Sequence, residues 1–280
     1  MGLMTGTGPL GKQPAGTFNF DAPAPGEALY LEPTPKRIRV ELDGVVIADS
    51  RRAFLLHESG QQPVYYFPPD DVRADLLVPS ERSTHCAKKG DASYYSIQLG
   101  DRLIKNAAWT YPEPIAGSPG FGGLIAFYWD RVDRWFEEDE EMFVHPRDPY
   151  HRLDVLPSSR HVRISLDGEL LAESRTAIAL FESNLPTRWY LPREDVHAHL
   201  VPVDTVTRCG YKGTAGYYSV QLAGGEVVEN LVWSYAEPFD EAQRIADRLC
   251  FLNERVDIEV DGVLQARPAT AWSRGIRSEE

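Results

Sequence analysis

A cysteine three positions ahead of a Lys-Gly pair occurs twice, as Cys86-Ala-Lys-Lys89-Gly90 and as Cys209-Gly-Tyr-Lys212-Gly213. An ammonium close to a thiol favours the thiolate, the form that attacks electrophiles. The glycine lets backbone enter a tight turn or approach a ligand closely. Glu58 and Glu182 offer each set a carboxylate, and Trp109/Tyr111 and Trp233/Tyr235 offer stacking walls. Convergence of these groups would put a nucleophile, a cation, a carboxylate and aromatic surface in one cleft. The candidates for catalysis are therefore Cys86, Lys89, Glu58, Cys209, Lys212 and Glu182. Those for ligand contact are Tyr66, Tyr95, Trp109, Tyr111, Tyr190, Tyr218, Trp233 and Tyr235. Each has a plainer account: free cysteine is a common small apolar filler, Lys-Gly often makes an exposed turn, and large aromatics build cores. Neither cysteine has the adjacent base that an activated nucleophile usually shows.

Other chemistry is weaker in this sequence. His85 beside Cys86, or His197 with His199, could chelate a metal, but Arg208 and Asp75 stand where the other copy has His85 and His199. No metal and no cofactor is expected. Gly6-Thr-Gly-Pro-Leu-Gly11-Lys12 has the spacing of a phosphate-binding loop, yet Gln13 replaces the hydroxyl residue that holds magnesium and no strand precedes it. Gly120-Phe-Gly-Gly123 ahead of a helix could bind an anion, and Arg51 or Arg175 could clamp a carboxylate or phosphate. Loop geometry and surface ion pairs explain these equally well. Cys250, between Leu249 and Phe251, reads as core.

The elements that must position these residues come in duplicate. Arg39-Val-Glu-Leu-Asp-Gly44 matches Arg163-Ile-Ser-Leu-Asp-Gly168 at an offset of 124 positions. The same offset carries Glu58 to Glu182, Tyr66 to Tyr190, Trp109 to Trp233 and Tyr111 to Tyr235. One residue is lost before Cys209 and regained in the Leu222–Glu226 turn, where a surface loop absorbs it. Within each copy apolar residues mostly alternate, predicting hairpins across Asp43-Gly44 and Gly100-Asp101 and short aromatic strands at 64–67 and 188–191. Ile245, Leu249 and Leu252 fall at helical spacing. One helix per copy is predicted, at about Gly122 to Phe136 and about Glu241 to Glu254. The fold class expected is α+β, mainly β: two tandem pseudo-symmetric antiparallel sheet modules, each with one main helix. The boundaries expected are a Gly/Pro-rich arm at 1–35, a first repeat at 36–144, a Pro-containing linker at 145–159, a second repeat at 160–265 and a tail at 266–280.

A net charge of −13 over 280 residues, without a basic run, argues against nucleic acid as a partner. The longest apolar run, Phe121 to Trp129, is far too short to span a bilayer. The first residues lack a secretory signal pattern, and Gly6 stands where a myristoylation motif wants Ser or Thr. Three cysteines are not a disulfide framework. The expectation is a reduced, cytoplasmic protein with a small-molecule ligand, no membrane partner, and a monomeric or weakly dimeric state.

The segments Val-Tyr-Tyr-Phe-Pro (64–68), Thr-His-Cys-Ala-Lys-Lys-Gly (84–90), Ala-Trp-Thr-Tyr-Pro-Glu-Pro (108–114) and Phe-Tyr-Trp-Asp-Arg-Val-Asp (127–133), with their counterparts in the second copy, resemble the bacterial family catalogued as domain of unknown function 427. The linker 145–152 and the arm at 6–11 resemble its tandem members. Tyr95 and Tyr218 depart from it, standing where Trp is common, and no Pro follows Cys86 or Cys209. The resemblance implies a β-tent fold, a group that includes zinc-binding and methionine-sulfoxide-reducing proteins. The paired Cys-x-x-Cys of its zinc sites is missing from this chain. The family sometimes carries a nucleotidyltransferase label, but the resemblance transfers no catalytic residue. The reading is a small-molecule cleft in one or both repeats, with catalysis on a small polar or aromatic metabolite left open. The alternative is a non-catalytic binding or interaction module.

Overall fold

In Ile38–Leu42 and Val162–Leu166 every second side chain is buried, the pattern of a strand half covered by a core. Strands dominate both halves of the chain. The computed structural model describes residues 2–22, 24 and 26–274, and divides the chain into two units at Tyr150/His151. The last six residues of the tail expected at 266–280 lie outside the described residues.

The first unit holds β1 (Leu29–Pro33), β2 (Ile38–Leu42), β3 (Val45–Ser50), β4 (Phe54–Glu58), β5 (Val64–Tyr66), β6 (Leu77–Cys86), β7 (Gly90–Leu99), β8 (Arg102–Thr110), β9 (Ile125–Phe127), β10 (Arg134–Glu137) and β11 (Glu140–Met142). The second holds β12 (Leu153–Pro157), β13 (Val162–Leu166), β14 (Glu169–Ser174), β15 (Ile178–Glu182), β16 (Arg188–Leu191), β17 (His199–Cys209), β18 (Gly213–Gln221), β19 (Val227–Ser234), β20 (Leu249–Phe251), β21 (Asp257–Val260) and β22 (Val263–Leu264).

In the second unit one antiparallel sheet runs β12-β15-β16-β20-β19-β18-β17, and another runs β14-β13-β21-β22. The first unit repeats this order. Its four-stranded sheet is β11-β10-β2-β3, and its larger sheet is β1-β4-β5 followed by β9-β8-β7-β6. Those two halves meet at Phe67 and Ile125, whose amides and carbonyls bond reciprocally at 2.7 and 2.9 Å. The equivalent pair in the second unit, Leu191 and Leu249, lies inside paired strands. Strands β1 and β12, which the sequence left in the arm and the linker, are sheet strands pairing β4 and β15.

Both expected helices are absent. Residues 122–136 are β9, a 3-10 turn at Trp129–Arg131 and part of β10; residues 241–254 are most of a 3-10 turn, Asp240–Ile245, and β20. The reason is burial. β9 lies between β8 and β5, and β20 between β19 and β16. All three residues of each strand are buried, so neither shows alternation and both mimic a helical stripe. Asp247 at φ 57° also breaks any helix across Ile245 and Leu249.

The larger sheet has two different faces. On β4 and β5 of the first unit, Leu55 and Tyr65 join Phe67, Ala108 and Phe127 against Val40 and Trp135 of the four-stranded sheet. Their neighbours Leu56 and Tyr66 point the other way, with Ala92, Tyr94, Tyr111, Phe121 and Ala126. That second face carries the residues singled out above for chemistry.

Candidate functional site

Glu58 ends β4, Tyr66 ends β5, Cys86 ends β6, Lys89 sits in the β6–β7 turn, and Trp109 and Tyr111 bracket the end of β8. Tyr66, Tyr111, Cys86 and Trp109 pack together on the second face of the larger sheet, so residues far apart in sequence meet there. Lys89 Nζ donates to Glu58 Oε2 at 2.5 Å. Lys88 Nζ donates to Glu58 Oε1 at 3.4 Å and to the Gly26 carbonyl at 2.6 Å. Lys89 Nζ also lies 5.6 Å from the centre of the Tyr111 ring, within reach of a cation–π attraction. Trp109 Nε1 donates to Tyr66 Oη at 3.2 Å. Burial raises the Glu58 carboxyl, but the hydrogen bond and charge of Lys89, then Lys88, outweigh it and hold the group ionised below its ordinary range. Burial pushes the Tyr66 and Tyr111 phenols up, and the Glu58 charge acts on both in the same direction. Gly90 has φ 98°, and a Cβ there would stand 3.3 Å from the Glu113 carbonyl. It is the tight-turn glycine, approached by backbone.

The second unit repeats the set with a different exposure. Lys212 is hydrogen-bonded to Glu182, and Trp233 Nε1 donates to Tyr190 Oη at 3.0 Å. His151 reaches Glu182 Oε1 through Nε2 at 3.2 Å, and its ring stacks on Tyr211 with centroids 3.7 Å apart. Beyond Trp233, Arg188 makes a two-pronged pair with Glu254 at 2.7 and 2.8 Å. Its guanidinium lies over the rings of Trp233 and Trp272, and Thr270 Oγ1 donates to Glu254 at 2.6 Å. The Glu182 side chain is 4% exposed and that of Lys212 9%, against 17% for Glu58, 14% for Lys89 and 25% for Lys88. Burial raises the Glu182 carboxyl, yet Lys212 and His151 hold it down at about 2. Burial lowers the Lys212 ammonium, but the Cys209 sulfur and Glu182 carry it above its ordinary value. Cys250 is wholly buried, and desolvation pushes its thiol up to about 12.

The structure thus brings Cys86, Lys89, Glu58, Tyr66, Trp109 and Tyr111 together, and likewise Cys209, Lys212, Glu182, Tyr190, Trp233 and Tyr235. Tyr95 and Tyr218 do not join them. Tyr95 packs into the core on the opposite face, and Tyr218 accepts a hydrogen bond from Arg193 at 2.9 Å. Their neighbours Tyr94 and Tyr217 take the place, each 2.9 Å from a threonine hydroxyl, Thr84 or Thr207. The cross-strand pairs Tyr94↔Trp109 and Tyr217↔Trp233 place them there. Sequence reasoning also missed Lys88, Tyr128, Arg82, His151, Tyr211 and Arg188. Lys88 could have been found, since it adjoins Lys89; the caps His151 and Arg188 had no signal.

The remaining sequence candidates stay outside the cluster. The amides of Gly8, Gly11 and Gln13 bond to the carbonyls of Thr5, Gly8 and Gly6, so that loop spends its donors on itself. Gly120–Gly123 opens no helix and loses the anion-binding geometry. Arg51 and Arg175 are exposed, and Arg52 is the residue that pairs with Asp71. His85 pairs with Asp91 at 2.7 Å. Among the described residues no group of three or more His, Cys, Asp or Glu side chains is gathered for a metal.

A family model described as a domain of unknown function, DUF427, matches residues 30–138 and again 154–262. The chain belongs to the DUF427 family. Each DUF427 domain begins inside the first strand of its larger sheet, β1 or β12, and each contains its own set of six clustered residues. His151, Thr270 and Trp272, which cover the second set, lie outside the matched segment. No curated protein matches the sequence.

Proposed function

We propose that the first DUF427 domain binds a small molecule at the Glu58/Lys88/Lys89/Cys86 edge, against Trp109, Tyr111 and Tyr66. The observation that carries this reading is the contrast between two copies of one cluster. A core does not need a lysine–glutamate pair, because desolvating the two charges costs about what their attraction returns. In the second domain the pair is covered by His151 and Tyr211 and acts as internal structure. In the first domain the same pair remains partly open to solvent with a second lysine added, the condition of a site awaiting a ligand. Binding is favoured over nucleophilic turnover, since lysines engage both Glu58 oxygens, leaving that carboxylate uncommitted to Cys86.

The test is a metabolite library screened against the full chain, read at the indole N–H resonances of Trp109 and Trp233. The expected result is a set of compounds that move the Trp109 signal, leave that of Trp233 in place, and lose affinity on Lys89→Ala. Ligands that move both signals equally, or bind the Lys89→Ala protein unchanged, would overturn the proposal.

A further inference from the structure

Two cations of the first domain, Lys88 and Arg82, have no counterpart charge in the second. Lys88 is replaced by Tyr211, so Glu58 faces two ammonium groups where Glu182 faces one and an imidazole. Arg82 is replaced by Thr205, and its guanidinium lies 4.7 Å from the centre of the Tyr94 ring. Lys88, Lys89 and Glu58 together carry one net positive charge, in a protein whose overall charge of −13 repels anions. The nearby acid Asp91 is occupied by His85.

Between these cations runs a continuous aromatic wall. Lys89 sits over Tyr111, while Trp109 donates to Tyr66 and contacts Tyr128 at 4.6 Å between ring centres. Tyr128 stacks on Tyr94 at 6.5 Å and 11°. Trp109 and Tyr128 are half-buried, so each keeps ring surface available. The second domain has Leu252 where Tyr128 stands, and there Arg188 lies over Trp233. The cations and the added ring thus occur together in the copy that remains accessible. At the far end of the wall, Tyr94 Oη lies 2.9 Å from Thr84 Oγ1.

Resting on the binding site proposed above, we infer that the ligand of the first domain is an aromatic acid. Its flat ring lies on Trp109 and Tyr128, and its carboxylate or phosphate is held by Lys88 and Lys89 or by Arg82. A guanidinium and paired ammonium groups both form charge-assisted bonds to such an anion, and every planar ring has a face to stack.

The experiment titrates the full chain with benzoate and phenyl phosphate, each a ring with an anion. Cyclohexanecarboxylate is an anion without an aromatic ring, benzamide a ring without charge, and benzylamine a ring with the opposite charge. Binding is read at the Trp109 indole N–H. Benzoate or phenyl phosphate should saturate the shift at least about tenfold more tightly than the other three, and the stronger of the two identifies the anion. Lys88→Ala or Arg82→Ala, both solvent-reaching positions, should weaken that binding about tenfold, the size of one lost charge-assisted contact. Equal binding by cyclohexanecarboxylate removes the ring from the proposal, and equal binding by benzamide removes the anion. Tighter binding of benzylamine at Trp109 overturns the ligand class while leaving the site in place. No response of Trp109 to any probe at millimolar concentration overturns the aromatic acid; a library hit elsewhere in chemical space would still rescue the site alone.

Discussion

Glu182 shows what a charge requires when it leaves water. Its carboxylate is held by Lys212 and His151, and removing the ammonium would strand it in a dry environment. Lys212→Ala should therefore lower the stability of the second domain by about 3–5 kcal/mol. Lys89→Ala should cost much less, because Glu58 keeps Lys88 and more solvent. Urea unfolding of the two variants, followed by tryptophan emission, separates these outcomes. Acid provides a second check. A carboxyl whose folded pKa lies below its unfolded one stabilises the fold above the unfolded value and loses that contribution as pH falls through the folded value. For Glu182 the window runs from 4.5 down to about 2 and is worth about 3 kcal/mol. Stability measured across that window should fall in the wild type and stay flatter in Glu182→Gln. The six clustered residues of each domain were legible because their types and offset repeat. The aromatic pair was misjudged by one position, Tyr95 for Tyr94, since two adjacent tyrosines give no sign of which faces which side. The caps were invisible because His151 and Arg188 act only through three-dimensional proximity.

Strands in both domains bend at the same places. The β7–β8 ladder shifts register between Tyr95 and Ile97, and the β18–β19 ladder between Tyr218 and Val220. Opposite these shifts stand Asn106 and Asn230 at φ 52° and 51°, whose amides are held by the hydroxyls of Ser96 and Ser219. A bulge of this kind resets which side chains face which side of the sheet, and so aims Trp109 and Trp233. Asn106→Ala should cost about 1–2 kcal/mol, the strain of a β-carbon in the left-handed region, whereas Asn106→Gly should cost less. Chemical denaturation of both variants checks the order. The Asp43-Gly44 turn was legible, with φ values of 49° and 73° in the conformation expected of a tight hairpin. The central strands β9 and β20 were not, because burial on both faces erases the alternation on which strand reading depends.

Across the whole molecule the duplication was the most readable feature, since two copies in register leave little room for another organisation. The domain limits were harder to see. β1 and β12 carry weak patterns, and their membership depends on pairing with β4 and β15. A fragment spanning 151–280 should fold alone, because its core, its β12 edge and the His151 contact to Glu182 are all internal to it. A fragment starting at residue 160 loses both and should melt lower or fail to fold. Circular dichroism and thermal melting of the two fragments decide the matter; equal stability would show that β12 and His151 contribute nothing.

The sealed cluster of the second domain has a consequence for how such a chain can evolve. Burial has turned this ion pair into a staple, and a staple can be exchanged. Concerted replacement of Glu182, Lys212 and His151 by apolar side chains of similar volume would leave that copy about as stable, or more so. Under the proposed binding role, selection on binding does not oppose that drift, because the Glu182 and Lys212 side chains are 4% and 9% exposed. Under the proposed binding role the open copy has no such freedom: Glu58, Lys88 and Lys89 trade stability for accessibility. One half of the molecule can thus become sturdier while the other keeps its less stable, solvent-facing charges.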